Sequence, residues 1–89
     1  LVANQKSVEL APQDAEAHYN LGNALRVLGR FEEAEASYRQ AISLKPDYAE
    51  AHSNLGITLR DLDRPEEAEA SYRQAISLKP DFVEAHSNL

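Results

Sequence analysis

Apolar residues recur along this chain at intervals of three and four, the spacing that gathers them on one side of a helix. Ala17, Leu21, Ala24 and Leu28 make one such run, and Ala34, Tyr38, Ala41 and Leu44 make the next, with charged and amide side chains between them. Each run predicts a helix, at about 15–28 and 31–44, and the same pattern predicts others at about 49–62 and 65–78, over 1–10 and from 83 onward. The punctuation agrees. Gly29 suits the left-handed residue that ends a helix, Pro46 stops the next one, and Glu32 and Glu33 fall in a positively polarised first turn. Asp63 stands where Gly29 stands and tolerates the left-handed conformation at some cost, while Pro65 fits a first turn that needs no amide donor.

The pattern is a true internal repeat. Offset by 34 residues, positions 15–48 align with 49–82, and only seven pairs differ: Tyr19/Ser53, Asn23/Ile57, Ala24/Thr58, Val27/Asp61, Gly29/Asp63, Phe31/Pro65 and Tyr48/Phe82. Glu84 to Leu89 repeats Glu50 to Leu55, and Val8 to Pro12 matches Ile42 to Pro46 in pattern. The expected organisation is therefore the second-helix part of a preceding repeat at 1–14, two full repeats at 15–48 and 49–82, and the start of another at 83–89. The chain reads as a piece that begins and ends inside repeats.

A helix-turn-helix unit of 34 residues carrying His18-x-x-Leu21-Gly22-x-x-Leu25, then Ala34-x-x-x-Tyr38, Ala41 and Pro46, resembles the tetratricopeptide repeat. The second copy has the same marks at His52, Leu55, Gly56, Leu59, Ala68, Tyr72, Ala75 and Pro80. His stands where the family often has Trp, and Leu25 and Leu59 where it often has Tyr; all remain bulky core-type residues. The resemblance implies an all-α fold, a right-handed α-solenoid of stacked helical hairpins. Gly22, Gly56, Ala34 and Ala41 have a physical reason, because small side chains let helix axes approach to roughly 8 Å rather than 10 Å. A larger residue at either glycine should wedge its hairpin apart.

Composition narrows the chemistry. An 89-residue chain buries only about two-thirds of its unfolded surface and leaves room for one small domain. With 43% hydrophobic and 27% charged residues it should fold, and with no cysteine it has no disulfide, thiolate nucleophile or cysteine-based zinc site. Nine basic against fifteen acidic residues, a net charge of −6, argue against nucleic acid as a partner. No run of eighteen apolar residues suggests a membrane span. The sequence assigns no compartment, and a soluble, cytoplasmic setting is the expectation.

No catalytic or cofactor site is expected. His18, His52 and His86 lie 34 apart, so successive repeats would hold them roughly 10 Å from one another, too far to share a zinc ion bound at about 2 Å. Packing of the rings between helices is the reading preferred. His52-Ser53 and His86-Ser87 are adjacent on a helix and point about 100° apart, which rules out a shared proton. Ser37, Ser43, Ser71 and Ser77 read as solvated surface, and Glu35/Arg39 and Glu69/Arg73 as i,i+4 pairs.

A second stripe lies off the core on each first helix. It holds Glu16, Tyr19, Asn20, Asn23, Arg26 and Val27, answered by Glu50, Ser53, Asn54, Ile57, Arg60 and Asp61, and begun again at Glu84, Ser87 and Asn88. Three of the seven differences, at 19/53, 23/57 and 27/61, step by four and share this face, whereas Glu32 to Asp47 is identical to Glu66 to Asp81. Selection on a ligand face explains that distribution; recent duplication or consensus design with chance scatter remains the alternative. The resemblance implies that this surface lines the concave groove in which peptides bind. Asn20, Asn54 and Asn88 keep one position, and an amide that both donates and accepts can pair with the backbone of an extended peptide. That ladder looks like the repeat arrays of O-linked N-acetylglucosamine transferase and related bacterial proteins. The alternative is that each Asn bonds within the protein. No Lys occurs on the stripe, which disfavours a clamp for a C-terminal carboxylate.

The functional expectation is a non-catalytic module that binds a protein or extended peptide through Tyr19, Asn20, Asn23, Arg26, Ser53, Asn54, Ile57, Arg60 and Asn88. Replacing Asn20 and Asn54 by Ala should then weaken binding and leave melting nearly unchanged. The alternatives are a substrate-recognition arm of a larger glycosyltransferase and a scaffold that associates end to end through uncapped repeats.

Overall fold

The computed structural model describes residues 14–81, and the expectations for 1–13 and 82–89, including Asn88, lie outside them. Four helices follow in order: α1 (Ala15–Val27), α2 (Phe31–Leu44), α3 (Ala49–Asp61) and α4 (Pro65–Leu78). They agree with the expected spans to within one residue. No strand occurs among the described residues. Helix α1 packs on α2, α2 on α3 and α3 on α4, and α1 also touches α3, the arrangement of an all-helical repeat solenoid.

The turns are built as the sequence requires. Gly29 has φ 79° and Asp63 has φ 64°. Behind each, paired backbone bonds close the helix: Gly29 N–H to Arg26 O and Arg30 N–H to Leu25 O, then Asp63 N–H to Arg60 O and Arg64 N–H to Leu59 O. Asp14 caps α1 by accepting the Glu16 N–H at 3.0 Å, a cap the hydrophobic pattern does not reveal.

The core follows the small and aromatic positions. Leu25, Ala34, Tyr38, Leu55, Leu59, Ala68 and Tyr72 form one buried cluster. A Cβ on Gly22 would lie 2.7 Å from the Tyr38 ring, and one on Gly56 2.6 Å from the Tyr72 ring, so each glycine is the floor on which a tyrosine lies. The expected α1 stripe differs. Leu21 is 49% exposed whereas its counterpart Leu55 is 3% exposed, and Leu28 is exposed as well. Leu55 lies beneath α2, which belongs to the hairpin before it, and among the described residues no helix stands in that place for Leu21.

Ion pairs reinforce the stack. Glu35–Arg39 (2.9 Å) and Glu69–Arg73 (2.7 Å) form as expected. Arg64 in addition reaches back to Glu35 at 2.8 Å while binding Glu67 at 2.7 Å, which ties α4 to α2. Burial opposes ionisation of Glu35, but the Arg64 and Arg39 guanidiniums outweigh it and hold the carboxyl below its usual range.

Candidate binding face

The off-core stripes of α1 and α3 lie side by side, and a chain of polar contacts joins them. Asn54 spends both Nδ2 hydrogens on α1, donating to Asn23 Oδ1 at 2.8 Å and to the Tyr19 hydroxyl at 3.1 Å. The same Asn23 oxygen accepts the Tyr38 hydroxyl, which in turn accepts from Arg26 Nε at 3.4 Å. Burial raises the Tyr38 pKa and the nearby Arg26 opposes it, so the hydroxyl stays protonated and able to donate. Tyr19 completes the cluster, its ring 6.0 Å from that of Tyr38 and 5.0 Å from that of Tyr48.

Among the described residues the next hairpin lacks this relay. Ile57 replaces Asn23 and Ser53 replaces Tyr19. Tyr72, the counterpart of Tyr38, keeps its buried position, but among the described residues its hydroxyl has no hydrogen-bond partner, and neither does the Ser53 hydroxyl. Arg60 lies over the Tyr72 ring at 5.9 Å. Ile57 is half-buried and packs against the core cluster.

Of the residues singled out from sequence, Asn20 is exposed, Arg60 is exposed, Tyr19, Asn23, Arg26, Asn54 and Ile57 are half-buried, and Ser53 is buried. The structure brings Tyr19, Asn23, Arg26 and Asn54 together and leaves Asn20 facing solvent. Asn54 retains Oδ1 as an acceptor but no donor, because Nδ2 is committed to α1. The expectation that replacing Asn54 leaves stability unchanged is therefore corrected: the amide joins two hairpins. Tyr38 is the member that sequence reasoning placed only in the core; its 34-residue pairing with Tyr72, set against Asn23/Ile57, was the available signal.

Among the described residues no cluster of three or more His, Asp or Glu side chains could hold a metal, and no helix is long and apolar enough to cross a membrane. His52 is half-buried and donates through Nε2 to the Pro46 carbonyl at 3.1 Å.

Three family models match the chain: a tetratricopeptide repeat model at 3–36, a TPR repeat model at 22–63 and a second tetratricopeptide repeat model at 49–82. No curated protein matches it. Among solved structures it is similar to MamA, with 33% identity over 92% of this chain and 48% of that one and a TM-score of 0.85. It is similar also to YrrB, described as a TPR protein with an unusual peptide-binding site, with 30% identity over 94% of this chain and 43% of that one and a TM-score of 0.86. A third is the first TPR of Spaghetti (RPAP3) bound to an HSP90 peptide, with 29% identity over 88% of this chain and 62% of that one and a TM-score of 0.85. The chain thus spans about half the length of the MamA and YrrB structures.

Proposed function

Because the chain belongs to the tetratricopeptide repeat family, a family of interaction modules, we propose that it binds an extended peptide segment across the face formed by α1 and α3. The observation that carries this reading is the continuous polar surface made when Asn54 bridges to Tyr19 and Asn23, next to exposed Asn20. The peptide-bound Spaghetti structure and the peptide-binding site named for YrrB support it by likeness. On this face Asn20 offers a donor and an acceptor to a ligand backbone, while Asn54 offers Oδ1 alone and so pairs with a ligand N–H. Arg26 and Arg60 line one end of the helices, where carboxylates or carbonyls of the segment would meet them.

The test is selection of a phage-displayed peptide library on the chain, followed by anisotropy titration of a selected, fluorescein-labelled peptide. Asn20→Ala should weaken binding about fivefold, the loss of one net hydrogen bond of about 1 kcal/mol. It should leave the melting temperature unchanged, since Asn20 is exposed. Selected peptides that bind Asn20→Ala, Arg26→Ala and Arg60→Ala as tightly as the parent would exclude this face.

A further inference from the structure

The hydrogen bonds that join α1 to α3 decide which way the Asn23 amide faces. Its Oδ1 accepts from Asn54 Nδ2 and from the Tyr38 hydroxyl, and an amide whose oxygen is held between two donors turns its NH2 group away from them. That nitrogen meets no acceptor among the described residues. The buried polar side-chain groups without partners there are the hydroxyls of Ser53 and Tyr72, so Asn23 Nδ2 opens to solvent on the α1/α3 face.

Arg26 follows three residues later on the same side of α1, and Asn23 Oδ1 and Arg26 Nε meet the same Tyr38 hydroxyl. Arg30, Arg39, Arg64 and Arg73 each bind a glutamate. Arg26 pairs with no carboxylate among the described residues, and its bond to Tyr38 uses Nε, leaving both outer nitrogens uncommitted. Tyr19 adds an O–H, because its oxygen accepts from Asn54 and donates to nothing described. Three neighbouring side chains therefore turn donors outward, and one of them is a cation.

The net charge of −6 bears little on this pocket. Glu16 lies ten residues earlier on α1, about 15 Å along the helix and past a Debye length of about 8 Å. Glu50 on α3 is paired with Lys79 at 3.2 Å. Burial raises the Tyr72 pKa, and Arg60 and Arg26 oppose both that and the nearby Asp61, so two cations answer one carboxylate at this end of the face. The second hairpin keeps the arginine at Arg60 but has Ile57 in place of the amide.

Resting on the peptide-binding reading of the α1/α3 face, we infer that Asn23 and Arg26 form its specificity subsite, which takes the carboxylate of an internal Asp or Glu of the bound segment. One carboxylate oxygen accepts from Asn23 Nδ2 and the other from an outer nitrogen of Arg26, with the Tyr19 hydroxyl beside them. A lysine or arginine of the segment would face only donors there and is rejected. Ile57 gives the same segment an apolar contact at the second hairpin.

The probe is a peptide selected on the 89-residue chain from a phage library fused through its C-terminus, then synthesised with an N-terminal fluorescein and an amidated C-terminus. Its analogue with Asn for Asp, or Gln for Glu, should bind about fivefold more weakly by anisotropy, the upper size of an exposed ion pair. Asn23→Asp still accepts from Asn54 and Tyr38 but turns an oxygen outward, so it should bind the acidic peptide no better than the analogue. Arg26→Gln keeps a donor for Tyr38 and should also remove the preference; thermal melting checks that both variants fold, and either one that does carries the test. Equal binding of the two peptides to the parent, with Asn20→Ala still weakening both, would overturn the subsite and leave the binding face standing. Peptides indifferent to Asn20→Ala, Arg26→Ala and Arg60→Ala would remove face and subsite together. A free C-terminal carboxylate on the peptide is the remaining arm: if Asn23→Asp abolishes the gain from that group and leaves the side-chain preference intact, the subsite holds a chain terminus and the assignment falls.

Discussion

Two tyrosines at one repeat position have different fortunes. Tyr38 gives its hydroxyl to Asn23 and receives Arg26, while Tyr72 buries a hydroxyl with no partner among the described residues. Removing a satisfied buried hydroxyl strands its partners and costs about 1–2 kcal/mol, whereas removing an orphan relieves a desolvation penalty. Tyr38→Phe should therefore lower the urea midpoint and Tyr72→Phe should leave it unchanged or raise it. The glycines beneath these rings make a matching pair. Gly22→Ala and Gly56→Ala should each destabilise by roughly 1–3 kcal/mol, because the Cβ would meet a ring that buried neighbours hold in place. The sequence announced the glycines, since a small residue at a fixed place in each copy has a packing cause. It placed Tyr38 in the core but did not disclose the hydroxyl's partner, which lies fifteen residues away on another helix.

At the scale of the helix, the ends were the most legible feature. Gly29 and Asp63 both adopt the left-handed conformation assigned to them, and Pro65 opens α4. Nothing lies within 4 Å of a Cβ built on Gly29, so Gly29→Ala isolates the backbone term and should cost about 1–2 kcal/mol, read from thermal melting. The junction between α2 and α4 makes a pH prediction. Glu35 has a folded pKa below its unfolded value of about 4.3, so its contribution is complete above that value and is lost as pH falls through the lower folded pKa. Acid titration of stability should show this loss below about pH 4, and Glu35→Gln should flatten that part of the curve. The sequence revealed the Glu35–Arg39 spacing because i,i+4 neighbours are local. It could not reveal Arg64, which is 29 residues distant and meets Glu35 only once the hairpins stack.

For the whole molecule, helical periodicity told which residues are apolar but not which neighbour covers them. Leu21 and Leu55 read alike in sequence, yet only Leu55 lies beneath another described helix. If the α1 flank seats another copy, as the end-to-end expectation holds, Leu28→Glu should abolish any rise of sedimentation-equilibrium mass with concentration; a parent that stays monomeric throughout would remove that expectation. The stack also has a mechanical aspect. Asn54 fastens the junction between hairpins on one side, and Arg64 with Glu35 fastens it on the other. Two fasteners on opposite sides make a stiff joint, and cutting either leaves a hinge. Ile57 stands at the repeat position of Asn23 and carries no hydrogen-bond acceptor. A junction without such an acceptor would bend more easily, and a small change of angle at a soft joint sweeps whatever lies beyond it through a long arc.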